Sequence, residues 1–193
     1  MAAVRSVCVF CGSSGRVHAR YRAAAAELGA LMAANGMRLV FGGGHIGLMG
    51  VIADAVLAAG GEAIGVIPEF LVARELAHTR LTELRVVPSM HARKQTMFEL
   101  ADAFAALPGG VGTLEETLEV ITWRELGLHD KPIVVLNVGG YWQPLLDLFD
   151  HIAAQRFTRR TKRLFTLVDG PAAALAALAK APEPSIVPAP ERT

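Results

Sequence analysis

The chain has almost no net charge, no apolar run long enough to cross a bilayer and only two cysteines, and each shortage removes a class of function. Lys and Arg number 19 against 18 Asp and Glu, a formal charge of +1, so there is no basic field to hold nucleic acid or an anionic membrane surface. No stretch approaches the roughly 20 apolar residues of a membrane-spanning helix, and the N-terminus lacks the charged start, apolar run and cleavage site of a secretory signal. The expected setting is the cytoplasm, and the expected partner is a small molecule. Cys8 and Cys11 lie as Cys-Val-Phe-Cys in a strand-like run, whereas a redox C-x-x-C opens a helix and a zinc site needs further ligands. Both are expected to be small buried or half-buried residues. None of the six histidines falls at zinc-motif spacing, and His45 reads as a loop hydrogen-bonder. G-x-x-x-x-G-K-[ST] is absent, which argues against a P-loop ATPase.

What is present is a chain of 193 residues, 52% apolar, long enough for one substantial core. Residues 1–181 are expected to form one domain, and the proline-rich stretch from Pro182, PEPSIVPAPERT, a disordered tail. Short, near-continuous apolar runs predict strands at Ser6 to Phe10, Met37 to Phe41, Glu62 to Ile67, Leu84 to Val87, Ala103 to Leu107, Ile133 to Asn137 and Phe165 to Val168. Between them, helices are predicted at His18 to Asn35, Gly47 to Ala59, Met90 to Asp102, Thr113 to Leu126, about Trp142 to Gln155 and Pro171 to Ala181. The alternation implies an α/β fold, a Rossmann-like, doubly wound and mostly parallel sheet with helices on both faces.

Ligands of such sheets bind beyond the carboxyl ends of the strands. Three turns there are glycine-rich: CGSSGR, FGGGHIGLMG and LPGGVGTLEE. Gly42, Gly44 and Gly47 spell a formal G-x-G-x-x-G, yet it follows the second strand rather than the first, and Glu69, near the place of a ribose-binding acid, comes after Pro68. That pattern alone is weak. The third turn enters a helix, where free N–H groups and the dipole favour an anion. There Thr113-Leu114-Glu115-Glu116 reads as a capping box, with Thr113 as cap and Glu116 reaching back to it. With Leu114, Leu118 and Ile121 toward the core, Glu116 and Glu119 lie beside the loop mouth. Capping and function are equally good readings of Glu116 from the motif alone.

The segment SMHARKQTMFELADAF shifts that balance. At about 100° per residue, Met90, Met97, Phe98, Leu100 and Ala101 share one arc that also holds Arg93 and Lys94, with His91, Gln95 and Glu99 opposite. Two cations on an inward arc near a helix start, where the dipole disfavours positive charge, point to an anionic ligand or a buried carboxylate rather than to stems that snorkel outward.

PGGVGTLEE, preceded by MHARK and followed by EVITWRELGLHDKP, with FGGGHIGLMG upstream, resembles the LONELY GUY family of cytokinin riboside 5′-monophosphate phosphoribohydrolases, many of whose bacterial members have been labelled lysine decarboxylases. The resemblance runs from about Val7 to Ile152. It implies hydrolysis of the N-glycosidic bond of a nucleoside 5′-monophosphate by a Rossmann-like homodimer that needs no metal or other cofactor. It also implies catalytic roles for Arg93 and Glu116, and substrate contacts from Glu75, Lys94, Gly110, Val111, Gly112, Thr113, Leu114, Glu115 and Thr122. Ala73 before Arg74-Glu75, Ser89 before Met90-His91 and the histidine at 45 depart from the family pattern, and leave open whether the base is prenylated or plain adenine. Rival readings are a non-catalytic nucleotide or cofactor carrier on the same fold, an NAD-linked enzyme using Gly42 to Gly47, and a PLP decarboxylase, for which only Lys94, Lys131, Lys162 and Lys180 are available as Schiff-base lysines.

Overall fold

The structure, a computed structural model, describes residues 4–74, 76–158 and 163–180. Seven strands, β1 (Ser6–Phe10), β2 (Arg38–Phe41), β3 (Ala63–Pro68), β4 (Glu83–Val87), β5 (Ala103–Ala106), β6 (Ile133–Leu136) and β7 (Thr166–Val168), form one sheet. Their order is β4-β3-β2-β1-β5-β6-β7, and every pairing is parallel. Among the described residues the helices are α1 (Ala19–Ala34), α2 (Gly47–Ala58), α3 (Glu69–Val72), α4 (Met90–Leu100), α5 (Val111–Glu125), α6 (Gln143–Ala154) and α7 (Pro171–Lys180). None is long and apolar enough to cross a membrane.

Alternation along each strand feeds two cores. Val7, Val9, Leu39 and Phe41 pack with Leu28, Met32, Ile52, Val56 and Leu178, which places α1, α2 and α7 on one face. Cys8, Phe10, Val40, Phe104 and Val135 pack with Met97, Val120, Ile121, Leu146 and Phe149, which places α4, α5 and α6 on the other. Strands buried on both sides have no polar face to show, and this is why they read as continuous apolar runs. β1 pairs with β2 on one side and β5 on the other, so the chain order reverses direction between β1 and β5 and their following loops part to leave a crevice.

Four local departures from the sequence reading bear on the site. Helix α3 was not expected, since a four-residue helix is one turn and leaves no period to detect. Helix α4 stops at Leu100, where Ala101 turns extended. On α5 the deepest residues are Thr113, Thr117, Val120 and Ile121, with Leu114 and Leu118 half-buried beside them. Helix α5 itself begins at Val111 rather than Thr113. Residues 181–193, the expected tail, lie outside the described residues.

Candidate active site

The start of α5 is built to leave donors free. Gly110 is the N-cap, extended and without a side chain to occupy the first N–H groups, and Leu114 N donates the first helical bond, to Gly110 O, at 3.0 Å. Val111, Gly112 and Thr113 therefore present N–H groups that have no acceptor within the helix. Gly109 has no alternative, because a Cβ there would overlap the Thr113 side chain. The capping box is thus corrected. Thr113 is the third helical residue and is buried, and its carbonyl accepts the Thr117 hydroxyl at 2.6 Å. Glu116, sixth in the helix, is too far along to cap it.

Opposite Glu116 stands Arg93. Ser89 caps α4, its hydroxyl accepting from Ala92 N at 3.1 Å, and this fixes the helix phase that turns Arg93 inward while Met90 stays at the surface. The buried guanidinium donates through Nε to Val66 O at 3.1 Å and through Nη2 to Gly42 O at 2.9 Å. Gly42 must be glycine for this, since a Cβ would collide with Nη2. Nη1 lies 4.0 Å from Glu116 Oε1, a charge contact too long to be a hydrogen bond.

Glu116 is 13% exposed, and it shares a small recess with Phe10, Phe98, Phe104, Val120 and Trp123, and with Lys94 and Glu119. Burial there pushes its carboxyl up to about 7, Arg93 pulls it down, and Glu115 pushes it up. Arg93 therefore offsets only part of the burial cost, leaving an acid that exchanges its proton near neutrality. Cys8 and Cys11 are buried, and burial, reinforced by Glu116, holds both thiols above their ordinary range. Neither is a nucleophile at neutral pH.

The remaining expected residues have three outcomes. Lys94 is brought to the same helix pair but turned toward Glu115 Oε1 at 2.5 Å and Glu119 Oε1 at 2.9 Å. Burial opposes its charge, yet the two carboxylates outweigh it and raise its pKa. Thr122 is exposed, and its hydroxyl donates to Leu118 O at 2.8 Å on its own helix; the structure does not bring it to Glu116. Glu75 lies outside the described residues. The chain just beyond it is stitched to the turn after β2, with His45 N on Leu76 O at 3.0 Å, the His45 ring Nδ1 3.1 Å from the same oxygen, and His78 N on Gly43 O at 2.8 Å. Sequence reasoning missed the two main-chain acceptors of Arg93. The only trace they left was the glycine at 42.

A family model described as "Possible lysine decarboxylase" matches residues 49–178. The chain is 48% identical over 169 residues to cytokinin riboside 5′-monophosphate phosphoribohydrolase LOG1 from Arabidopsis thaliana, covering 88% of this chain and 79% of that one. It is 49% identical over 165 residues to the cytokinin riboside 5′-monophosphate phosphoribohydrolase from Rhodococcoides fascians, covering 85% and 83%. Among solved structures, the molybdenum cofactor carrier protein from Chlamydomonas reinhardtii superposes with a TM-score of 0.70 at 22% identity, over 91% of this chain and 96% of that one, which shows a common fold. Near-half identity sustained over most of both sequences, on a parallel sheet that sets Arg93 and Glu116 beside a glycine-capped helix start, makes the chain a member of the LONELY GUY family.

Proposed function

We propose that this protein hydrolyses the N-glycosidic bond of cytokinin riboside 5′-monophosphates, and of AMP, to free base and ribose 5-phosphate, as a cytoplasmic homodimer. The observation that carries this reading is the buried carboxyl of Glu116, raised to about 7, 4.0 Å from Arg93 and on the helix whose first turn leaves its N–H groups free for an anion. We place the 5′-phosphate on the N–H groups of Gly110, Val111, Gly112 and Thr113 and on the Thr113 hydroxyl, with the ribose toward Glu116.

Breaking a ribosyl C–N bond builds positive charge on the sugar, as in other glycoside cleavages. A fixed carboxylate facing that charge stabilises it, and the low-dielectric surroundings that raise the pKa also strengthen the attraction. As the C–N bond breaks and the base takes the electron pair, water adds to the anomeric carbon. Glu116 accepts the water's proton, and a proton returned to the base completes the balance. Arg93, held by two carbonyls, keeps Glu116 from becoming fully protonated at neutral pH. A pyridoxal-dependent decarboxylation is disfavoured at Lys94, because a Schiff base needs a free amine and two carboxylates hold this one as ammonium.

The test is incubation of the purified protein with AMP and with isopentenyladenosine monophosphate, following free base by chromatography. Release that is lost in Glu116→Gln supports the reading and ranks the substrates. Tight nucleotide binding without release from either compound would identify a carrier instead.

A further inference from the structure

We infer that Tyr141 is a positioning residue for the phosphate-binding turn, its phenol selecting the one orientation of the Gly109–Gly110 peptide in which the loop after β5 presents donors to an anion. The inference rests on the reading of that turn as the seat of the substrate's 5′-phosphate. A peptide unit is planar, so turning its carbonyl one way turns its N–H the other. Between two glycines such a flip meets little steric resistance, since each tolerates both signs of φ. Flipped, the unit would aim a carbonyl oxygen at the phosphate and repel it. Something must therefore hold Gly109 O away from the ligand.

Tyr141 does this, donating its hydroxyl to Gly109 O at 2.6 Å. The preceding carbonyl, Pro108 O, is held by Gly12 N at 3.1 Å, so two successive carbonyls are tied back. Beside them lies a cavity of about 320 Å³, lined by Gly12, Ser13, Tyr21, Leu48, Gly109 and Tyr141 among others.

The phenol, on a residue 37% exposed, is delivered by the turn after β6. After β6, Asn137 N donates to Val168 O at 2.7 Å, and its side-chain Oδ1 accepts from Trp142 N at 2.7 Å. Gly139 and Gly140, at φ of +60° and +77°, make the turn from β6 into α6. The ring is then held edge-on by Tyr21 at 5.4 Å and Trp142 at 4.9 Å between centroids.

The test is Tyr141→Phe, which keeps the ring and its neighbours and removes only the hydroxyl. Inorganic phosphate affinity is measured by calorimetry, AMP hydrolysis by steady-state kinetics, and adenosine binding by competition. The phosphate Kd and the AMP KM should each rise about three- to tenfold, the loss expected for one hydrogen bond, with kcat within about twofold and the adenosine inhibition constant unchanged, since adenosine has no phosphate. Equal phosphate binding by the two proteins, or no phosphate binding by the parent, overturns the inference. So does an equal loss for phosphate and adenosine, which would mean a general structural role. A parent that releases no base from AMP, yet binds phosphate in a Tyr141-dependent way, rejects the hydrolase reading and leaves the role of Tyr141 standing.

Discussion

Replacing Glu116 by glutamine should raise stability above neutral pH while it removes activity, because one burial causes both. The carboxyl moves from an ordinary value near 4.5 to about 7. At about 1.4 kcal/mol for each tenfold change in proton affinity, keeping it ionised in the fold costs ~3 kcal/mol relative to the unfolded chain. The sign follows from which state holds the proton. Between pH 4.5 and 7 the native protein keeps a proton that the unfolded chain has released, so its stability falls as pH rises through that window, and the full cost applies above 7. Glutamine matches the protonated acid in size and has no charge to desolvate. The other titrating groups are common to both proteins, so their contributions largely cancel in the difference. Scanning calorimetry should find the two melting temperatures close near pH 4.5, diverging through neutrality, and about 6–12 °C apart at pH 8 for a chain of this size. A difference independent of pH, or a parent more stable than Glu116→Gln at pH 8, would refute the assignment of a buried, raised carboxyl.

Three further substitutions test the surroundings of that acid. Arg93→Lys offers one ammonium where a guanidinium spans Val66 O and Gly42 O and still faces Glu116; kcat/KM for AMP should drop on the order of 10²-fold in a protein with unchanged circular dichroism, and near-normal turnover would remove Arg93 from the mechanism. Gly42→Ala pushes a methyl into Nη2 and should cost about 1–2 kcal/mol while moving the acid limb of the rate profile upward, since Arg93 is the largest influence lowering the Glu116 pKa; an unmoved profile would show that the guanidinium tolerates the shift. Lys94→Met leaves Glu115 and Glu119 without their shared cation and should also move that limb upward, because Lys94 lowers the Glu116 pKa. A downward movement would contradict the electrostatics.

Much of the fold was legible because strands covered on both faces cannot hide in the sequence. β1 spans the residues expected, and the other strands differ from expectation by one residue at one or both ends. Of the site, Arg93 was legible through the helical period: a cation on the inward arc of α4 needed a partner. The partner was not legible, since two of its contacts are main-chain oxygens 27 and 51 residues away in the chain, which carry no side-chain signature. The glycines that spell a dinucleotide pattern have other work in this fold. Gly42 clears the guanidinium, while Gly47, at φ +61°, lets α2 start against the backbone of Gly12 and Ser13.

The misplaced start of α5 has a more instructive cause. Threonine and glycine rank about equally as N-caps, but Thr113 with Glu116 three residues on makes the capping-box motif, and that motif starts α5 at the wrong place. Tertiary structure overrides it because Thr113 is needed elsewhere, buried beneath Gly109 where no other residue would leave it room. The cap then passes to Gly110, which has no side chain and occupies none of the N–H groups, and the start of the helix is left open to a ligand. The same shift of two residues carries Glu116 from the helix edge onto the buried face opposite Arg93, among aromatic rings that raise its pKa. A better cap at 113 would have made a more stable helix end and satisfied Glu116 locally, and it would have closed the anion site and left Arg93 facing no acid. The local rule is broken at the point where both halves of the proposed chemistry, the seat of the phosphate and the acid beside the sugar, depend on its being broken.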